Sequence, residues 1–342
     1  MTPCAAAALG DENWLRARSV EGVLVNPIDD DGGCLRVAAS HNRREIVSLL
    51  LDVGFDPNER TRFRAVGRDE VVFNWGMPLW ECATSGKHQI AERLLERGAD
   101  PNADVYASGT PVAEAHRQND PGMIELLLRF GGVIDAGMAG AYGVMDRAKQ
   151  ILAGPPRDRT GQNVAEQLLS GAAGGGHPEI VRLALDRVDW PRDDLRWFTV
   201  LEQPLRHGSD LESFRLVLER CDPNIRGRGP LGLTILHSVA GSRGHVTPER
   251  RMVFATMLLE AGARLDVRDN LLESTPLGWA CRWGQLPLVK LFLDRGADPV
   301  EADAEPWATP EAWATKMKHD AVLSVLRAHG QSAPGVGRTM NP

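Results

Sequence analysis

The 342-residue chain is poor in lysine, in tyrosine and in long apolar runs. It carries five Lys against 34 Arg, and its 46 acidic residues leave a formal net charge of −7. Nucleic-acid binding draws its affinity from Lys and Arg displacing counterions from phosphates. An acidic chain with no basic run is not built for that role. No stretch approaches the roughly 18 apolar residues of a membrane helix, so no membrane insertion is expected. Met1 to Leu9 offers alanines but no basic n-region and does not read as a signal peptide. The five cysteines (Cys4, Cys34, Cys82, Cys221 and Cys281) are odd in number, scattered, and form no C-x-x-C pair. That fits reduced thiols in a cytoplasm rather than a disulfide framework or a cysteine zinc site. Aromatic residues make up only 6%, while Gly numbers 35 and Pro 22. A single deep core would hold more aromatics, so many short elements joined by frequent turns fit better.

What the chain does contain is a recurring phrase. Ser274-Thr275-Pro276-Leu277-Gly278-Trp279-Ala280-Cys281 is followed by Gly284, then Leu288 to Leu293, then Arg295-Gly296-Ala297-Asp298-Pro299. Earlier, Met77-Pro78-Leu79-Trp80-Glu81-Cys82-Ala83 leads through Gly86 and Ile90 to Leu95, and on to Arg97-Gly98-Ala99-Asp100-Pro101-Asn102. A third copy opens at Thr110-Pro111-Val112 and runs to Leu128. Leu79 and Val112 are 33 residues apart, and Leu277 and Glu311 are 34 apart. Drifted copies open at Leu35, Ala172 and Thr234, and Thr309-Pro310 opens the last one. Two degraded copies cover Ala136 to Leu152 and Trp197 to Asn224, and Ala5 to Arg18 reads as a half copy.

Each copy carries its own physical logic. Thr caps the free amides of a helix, and Pro occupies the first helical position, where no amide bond is lost. The middle Gly ends that helix in a left-handed conformation. The Ile-Val-x-Leu-Leu-Leu runs have helical spacing, and Gly-Ala-Asp-Pro-Asn turns the chain. These phrases resemble the ankyrin repeat, a unit of about 33 residues with a Thr-Pro-Leu-His-x-Ala core. The resemblance covers roughly residues 5 to 330. It implies an all-α solenoid of about nine helix-turn-helix repeats with β-hairpin fingers. It also implies capture of another protein on the concave face, with no catalysis and no cofactor. A cytoplasmic, monomeric scaffold or adaptor is the expectation.

The departures from the repeat divide the chain. Residues 1–28 read as an N-terminal capping half repeat, 29–153 as N-terminal repeats, 154–161 as a linker or hinge loop, 162–330 as C-terminal repeats and 331–342 as a disordered tail. Leu35 to Leu79 is 44 residues, 11 more than one period. The insert holds two β-prone runs, 61–66 and 71–75, around Gly67-Arg68-Asp69-Glu70, a hairpin pattern. A long β-finger at 59–76 is therefore expected, either a partner contact or a decoration packing on the next finger. A pocket beside it is the basis of an alternative reading as an enzyme or small-molecule binder. A host-directed effector is a third reading.

Candidate chemistry is sparse. Among nine His there is no H-E-x-x-H or close metal-binding pair. His237 sits in the Thr-Ile-Leu-His phrase, where the resemblance implies hydrogen bonding between fingers. His88, His177 and His319 lie at turns between helices. No G-x-S-x-G nucleophile elbow is present. Gly171 to Gly176 looks like a glycine-rich nucleotide loop but falls at the end of a first helix with no preceding strand. No catalytic, metal or cofactor residue is expected.

Tryptophan is the unexpected residue, nine against two Tyr. Trp80, Trp279 and Trp313 fit packing between repeats. Trp75, Trp283 and Trp307 fall on or near fingers and first-helix ends, and aromatics there fit binding hot spots. Mapping the repeat onto the chain gives the candidate partner surface: Phe73, Asn74, Trp75, Ser85, Arg117, Gln118, Tyr142, Leu271, Leu272, Arg282, Trp283 and Trp307. The mixture of Arg and Trp points to a partner with acidic and apolar features.

Overall fold

In the computed structural model the described residues are 1–27, 32–64, 71–74, 77–105, 109–207, 210–241 and 246–332. They form two compact units, Met1–Asp135 and Ala136–Pro342. In the first, helices come in contacting pairs along the chain: α1 (Pro3–Leu9) and α2 (Glu12–Val20), α3 (Cys34–Ser40) and α4 (Arg44–Asp52), α5 (Met77–Ser85) and α6 (His88–Glu96), α7 (Pro111–Arg117) and α8 (Pro121–Arg129). Between α4 and α5, β1 (Thr61–Arg64) pairs antiparallel with β2 (Val71–Asn74), with Thr61 opposite Asn74 and Phe63 opposite Val72. The stretch expected as a half repeat holds two helices, α1 and α2.

The second unit continues the pattern. Its pairs are α9 (Ala136–Ala141) with α10 (Met145–Ala153), α11 (Val164–Gly175) with α12 (Pro178–Leu185), and α13 (Arg196–His207) with α14 (Leu211–Leu218). Then come α15 (Ile235–Gly241) with α16 (Pro248–Glu260), α17 (Pro276–Arg282) with α18 (Leu286–Asp294), and α19 (Pro310–Met317) with α20 (Asp320–Ser332). Within each unit, first helices pack on first helices and second on second: α1, α3, α5 and α7 in turn, and α9 through α19 likewise. No helix buries its apolar face alone, and that is why stability in such a stack is a sum over neighbours. Leu79, Cys82 and Ala83 of α5, and Leu277, Ala280 and Cys281 of α17, are buried in this way.

The local signals act as their chemistry requires. Thr110, Thr275 and Thr309 accept from the amides of Ala113, Gly278 and Ala312 at 3.2 Å each, capping α7, α17 and α19. The Asn of the Asp-Pro-Asn phrase joins one unit of the repeat to the next. Asn58 donates to Gly98 O and accepts from Asp100 N (2.8 and 2.7 Å). Asn102 does the same with Gly131 O and Val133 N, and Asn224 with Gly262 O and Arg264 N. Each such side chain satisfies two backbone groups that a turn would otherwise leave to water.

Glycine permits a close helix–helix approach. Gly171 lies inside α11 against the backbone of α9, where a Cβ would come 2.2 Å from Gly137 O. The Gly-Ala-Ala-Gly-Gly run is thus a helix–helix contact, not a phosphate loop. That contact packs α9 against α11, so the 154–161 loop expected as a hinge lies inside the second unit. The boundary between units falls earlier, at Asp135.

Candidate functional site

The expected surface residues fall into separate places. Phe73 and Asn74 are on β2, their backbones opposite Arg62 and Thr61. Trp75 lies outside the described residues. Ser85 ends α5, exposed, its hydroxyl 3.4 Å from Glu81 Oε1. Arg117 and Gln118 end α7, but both turn back onto one carboxylate. Glu114 Oε1 accepts from Arg117 Nη2 at 2.6 Å and Gln118 Nε2 at 2.8 Å, and its Oε2 accepts from Arg117 Nε at 2.9 Å. Glu114 is buried, so Arg117 neutralises a charge that burial would otherwise make costly. Tyr142 follows α9 and is half-buried.

In the second unit, Leu271 and Leu272 lie on the turn before α17, Leu271 being 57% exposed. The buried Asp269 shapes that turn. Its Oδ1 accepts from Leu271 N (2.9 Å) and Leu272 N (2.6 Å), and its Oδ2 from Ser274 N (3.2 Å) and the indole N–H of Trp279 (2.8 Å). One carboxylate thus ties the exposed Leu271 and the half-buried Leu272 to the first-helix indole.

Arg282, Trp283 and Trp307 do come together, and Trp279 and Trp313 join them. The Arg282 guanidinium carbon lies 4.6 Å from the Trp313 ring centroid, 5.9 Å from that of Trp279 and 6.0 Å from that of Trp283. Trp307, 48% exposed, meets Trp313 edge to face at 6.4 Å. Lys316 Nζ lies 5.3 Å from the same Trp313 ring. Gly241, at the end of α15, makes room for Trp279: a Cβ there would come 2.4 Å from Trp279 Cε3. Sequence reasoning assigned Trp279 and Trp313 to packing and passed over Lys316. The available signal was spacing, since Trp279 and Trp313 are 34 residues apart, one repeat.

A buried polar network holds these rings. Trp313 donates its indole N–H to Ser274 Oγ at 2.7 Å. The Ser274 carbonyl accepts from His237 Nε2 at 3.1 Å, and His237 Nδ1 faces Thr234 N and Oγ1 at 3.2 and 2.8 Å. These contacts place the proton of a neutral imidazole on Nε2, since the amide of Thr234 needs an acceptor. Burial pushes the His237 pKa down to about 4. Thr275 donates to Glu301 Oε1 at 2.5 Å, and Arg268 donates to Glu301 Oε2 at 2.7 Å. Burial raises the Glu301 pKa, against the opposing pull of Thr275 and Arg268.

Around Arg268 lies a shallow groove of about 280 Å³, lined by Leu265, Asp266, Asp298 and Asp303 among others. No three His, Cys, Asp or Glu side chains among the described residues converge as a metal site would require. No helix of the described residues is long and apolar enough to cross a membrane.

Comparison with known proteins agrees with this architecture. Residues 205–303 match a family model described as ankyrin repeats (3 copies), and residues 77–104 match one described as ankyrin repeat. Human ankyrin repeat domain-containing protein 63 is 34% identical over 118 residues, 33% of this chain and 28% of that protein. The ankyrin repeat and KH domain-containing protein mask-1 of Caenorhabditis elegans is 28% identical over 286 residues, 74% of this chain and 10% of that protein. The chain therefore spans about a quarter of the first relative and a tenth of the second. Mouse cyclin-dependent kinase 4 inhibitor B is 34% identical over 102 residues, 30% of this chain and 69% of the inhibitor. With paired helices, Thr-Pro caps and Asn-bridged turns recurring at one period, the chain belongs to the ankyrin-repeat family.

Proposed function

We propose that the chain is a non-catalytic interaction module, a scaffold or adaptor acting as a cytoplasmic monomer. It captures a protein partner on the first-helix ends and finger turns of its second unit. Ankyrin repeats are generally protein-interaction modules, and a fold alone names no partner. The observation that carries the reading is the aromatic cluster in which Arg282, at the end of α17, lies near the rings of Trp283 and the buried Trp313, with the exposed Trp307 edge-on to Trp313. Trp and Arg clustered in a rigid, half-desolvated patch are the composition of binding hot spots. Leu271 and Leu272 extend the patch along the finger turn, and Tyr142 is a further contact of the same unit. In the first unit, the β1–β2 hairpin with Phe73, Asn74 and Trp75, together with Ser85, Arg117 and Gln118, supplies separate contacts.

The test is a double variant, Arg282→Ala with Trp283→Ala, in affinity capture followed by mass spectrometry. Partners retained by the wild type are expected to be lost, with a melting temperature within a few degrees of the wild type. An unchanged set of partners, or an unfolded variant, sinks the site assignment.

A further inference from the structure

Four arginines among the described residues lie over aromatic rings, and three of them are neutralised. Arg18, over Trp14, pairs with Glu21 at 3.1 Å. Arg129, over Phe130, pairs with Glu92 at 2.5 Å. Arg196 lies 4.5 Å from the Trp190 ring and is held by Asp194 and Glu166 at 2.7 and 2.8 Å. Arg282 has the most indole around it and, among the described residues, no carboxylate. Lys316, 5.3 Å from the same Trp313 ring, pairs with no carboxylate among the described residues either. His319 faces the backbone carbonyl of Arg282 at 3.2 Å. Two uncompensated cations share one indole in a chain whose net charge is −7.

A cation held by ring faces keeps its N–H donors. The attraction is to the ring quadrupole and uses none of the five guanidinium hydrogens. Partial burial among three indoles lowers the local dielectric, so a carboxylate arriving there gains more than it would in water. Arg matches a carboxylate with two parallel N–H···O bonds. Against the same Trp313 ring, the exposed Trp307 offers an apolar seat.

We infer that this face recognises an acidic linear peptide, with one Asp or Glu carboxylate docked on Arg282, a second acid near Lys316 and an apolar side chain against Trp307. The inference rests on the reading of this face as a partner surface and specifies what it takes. A phosphopeptide is less well matched, because phosphate sites gather several Arg around one dianion, whereas here a single Arg is joined by one Lys.

The test pans a random linear peptide library on the full chain, then measures selected peptides as synthetic copies by fluorescence anisotropy. Enriched sequences are expected to pair Asp or Glu with an apolar neighbour. Replacing those acids by Asn or Gln should weaken binding at least about tenfold, the loss of one charge-assisted pair. Arg282→Gln and the exposed Lys316→Glu should do the same to the wild-type peptides while the melting curve stays in place. Having both variants guards against a packing defect at Arg282, since Lys316 lies on the surface. Enrichment of neutral or basic peptides that still need Trp283 overturns the acidic specificity and leaves the partner surface standing. No enrichment at all overturns both. Tighter binding of phosphoserine copies than of Glu copies reassigns the site to phosphopeptides. Self-association of the wild type that Arg282→Gln abolishes makes a second copy the occupant, and the acidic-peptide inference fails.

Discussion

His237 offers a quantitative check on the buried network beneath the aromatic face. Its ring is fully buried, with Nδ1 accepting from Thr234 and Nε2 donating to the Ser274 carbonyl. A second proton would sit on Nδ1, against a donor and away from water. The folded chain therefore resists protonation down to about pH 4, whereas an exposed imidazole takes its proton near 6.5. Stability from this residue is complete above pH 6.5 and is lost as pH falls towards 4, because there the unfolded chain binds a proton that the folded chain refuses. At about 1.4 kcal/mol per pH unit, the full loss is about 3 kcal/mol. Most of it falls between pH 6.5 and 4.5, where ordinary carboxylates remain largely ionised. Urea unfolding followed by circular dichroism at pH 7.0 and 4.5 reads the effect. His237→Gln keeps a donor for Ser274 but removes the titration. It should be the less stable protein at pH 7, by about 1–3 kcal/mol for the lost acceptor, and the two proteins should converge at pH 4.5. A gap of the same size at both pH values would refute the assignment of a neutral, buried, proton-refusing imidazole.

Three other substitutions test packing and turn structure in the second unit. Gly171→Ala should force α9 and α11 apart and cost about 3 kcal/mol, while Gly229→Ala, with nothing within 4 Å of the new Cβ, should melt like the wild type. Asp269→Asn should place an amide donor against the Ser274 and Trp279 N–H groups, costing about 2–3 kcal/mol in thermal melts and shifting tryptophan emission; an unchanged melt would mean the four bonds of Asp269 do not hold the turn.

The parts of the fold visible in the sequence were the local ones. Thr275-Pro276 caps α17 because a hydroxyl and a fixed φ act over three residues, so the chain order contains the whole interaction. The Asp-Pro-Asn turns read correctly for the same reason, although the bond each Asn makes lands about 30 to 40 residues away. Gly171 to Gly176 resisted reading as a motif because what fixes its role is the α9 backbone, which composition does not announce. The loop at 154–161 looked like a boundary by its prolines and arginines, yet α9 before it and α11 after it pack on each other within one unit. Arg117 and Gln118 sit at a first-helix end, as the repeat predicts, but Glu114 lies three and four residues before them and takes both. Such pairs face each other on any helix, and the spacing was there to be used.

The candidate site shows why packing and recognition are poor alternatives for the same tryptophan. Trp279 and Trp313 are buried and anchored by indole N–H bonds to Asp269 and Ser274, as packing residues should be. The same anchors fix the ring faces that carry Arg282. A ligand meeting a guanidinium already held in place pays less ordering entropy than one that must freeze a free arginine. The network below and the cations above therefore make different claims on experiment. Changes at Asp269 or His237 lower stability first, and binding only through the displaced rings. Changes at Arg282 or Lys316 remove charge from a scaffold that stays folded. A variant set in which binding losses simply tracked melting temperature across both groups would mean that the aromatic cluster is core alone. Losses at Arg282 and Lys316 with no change in melting separate recognition from packing, even though the two share the same rings.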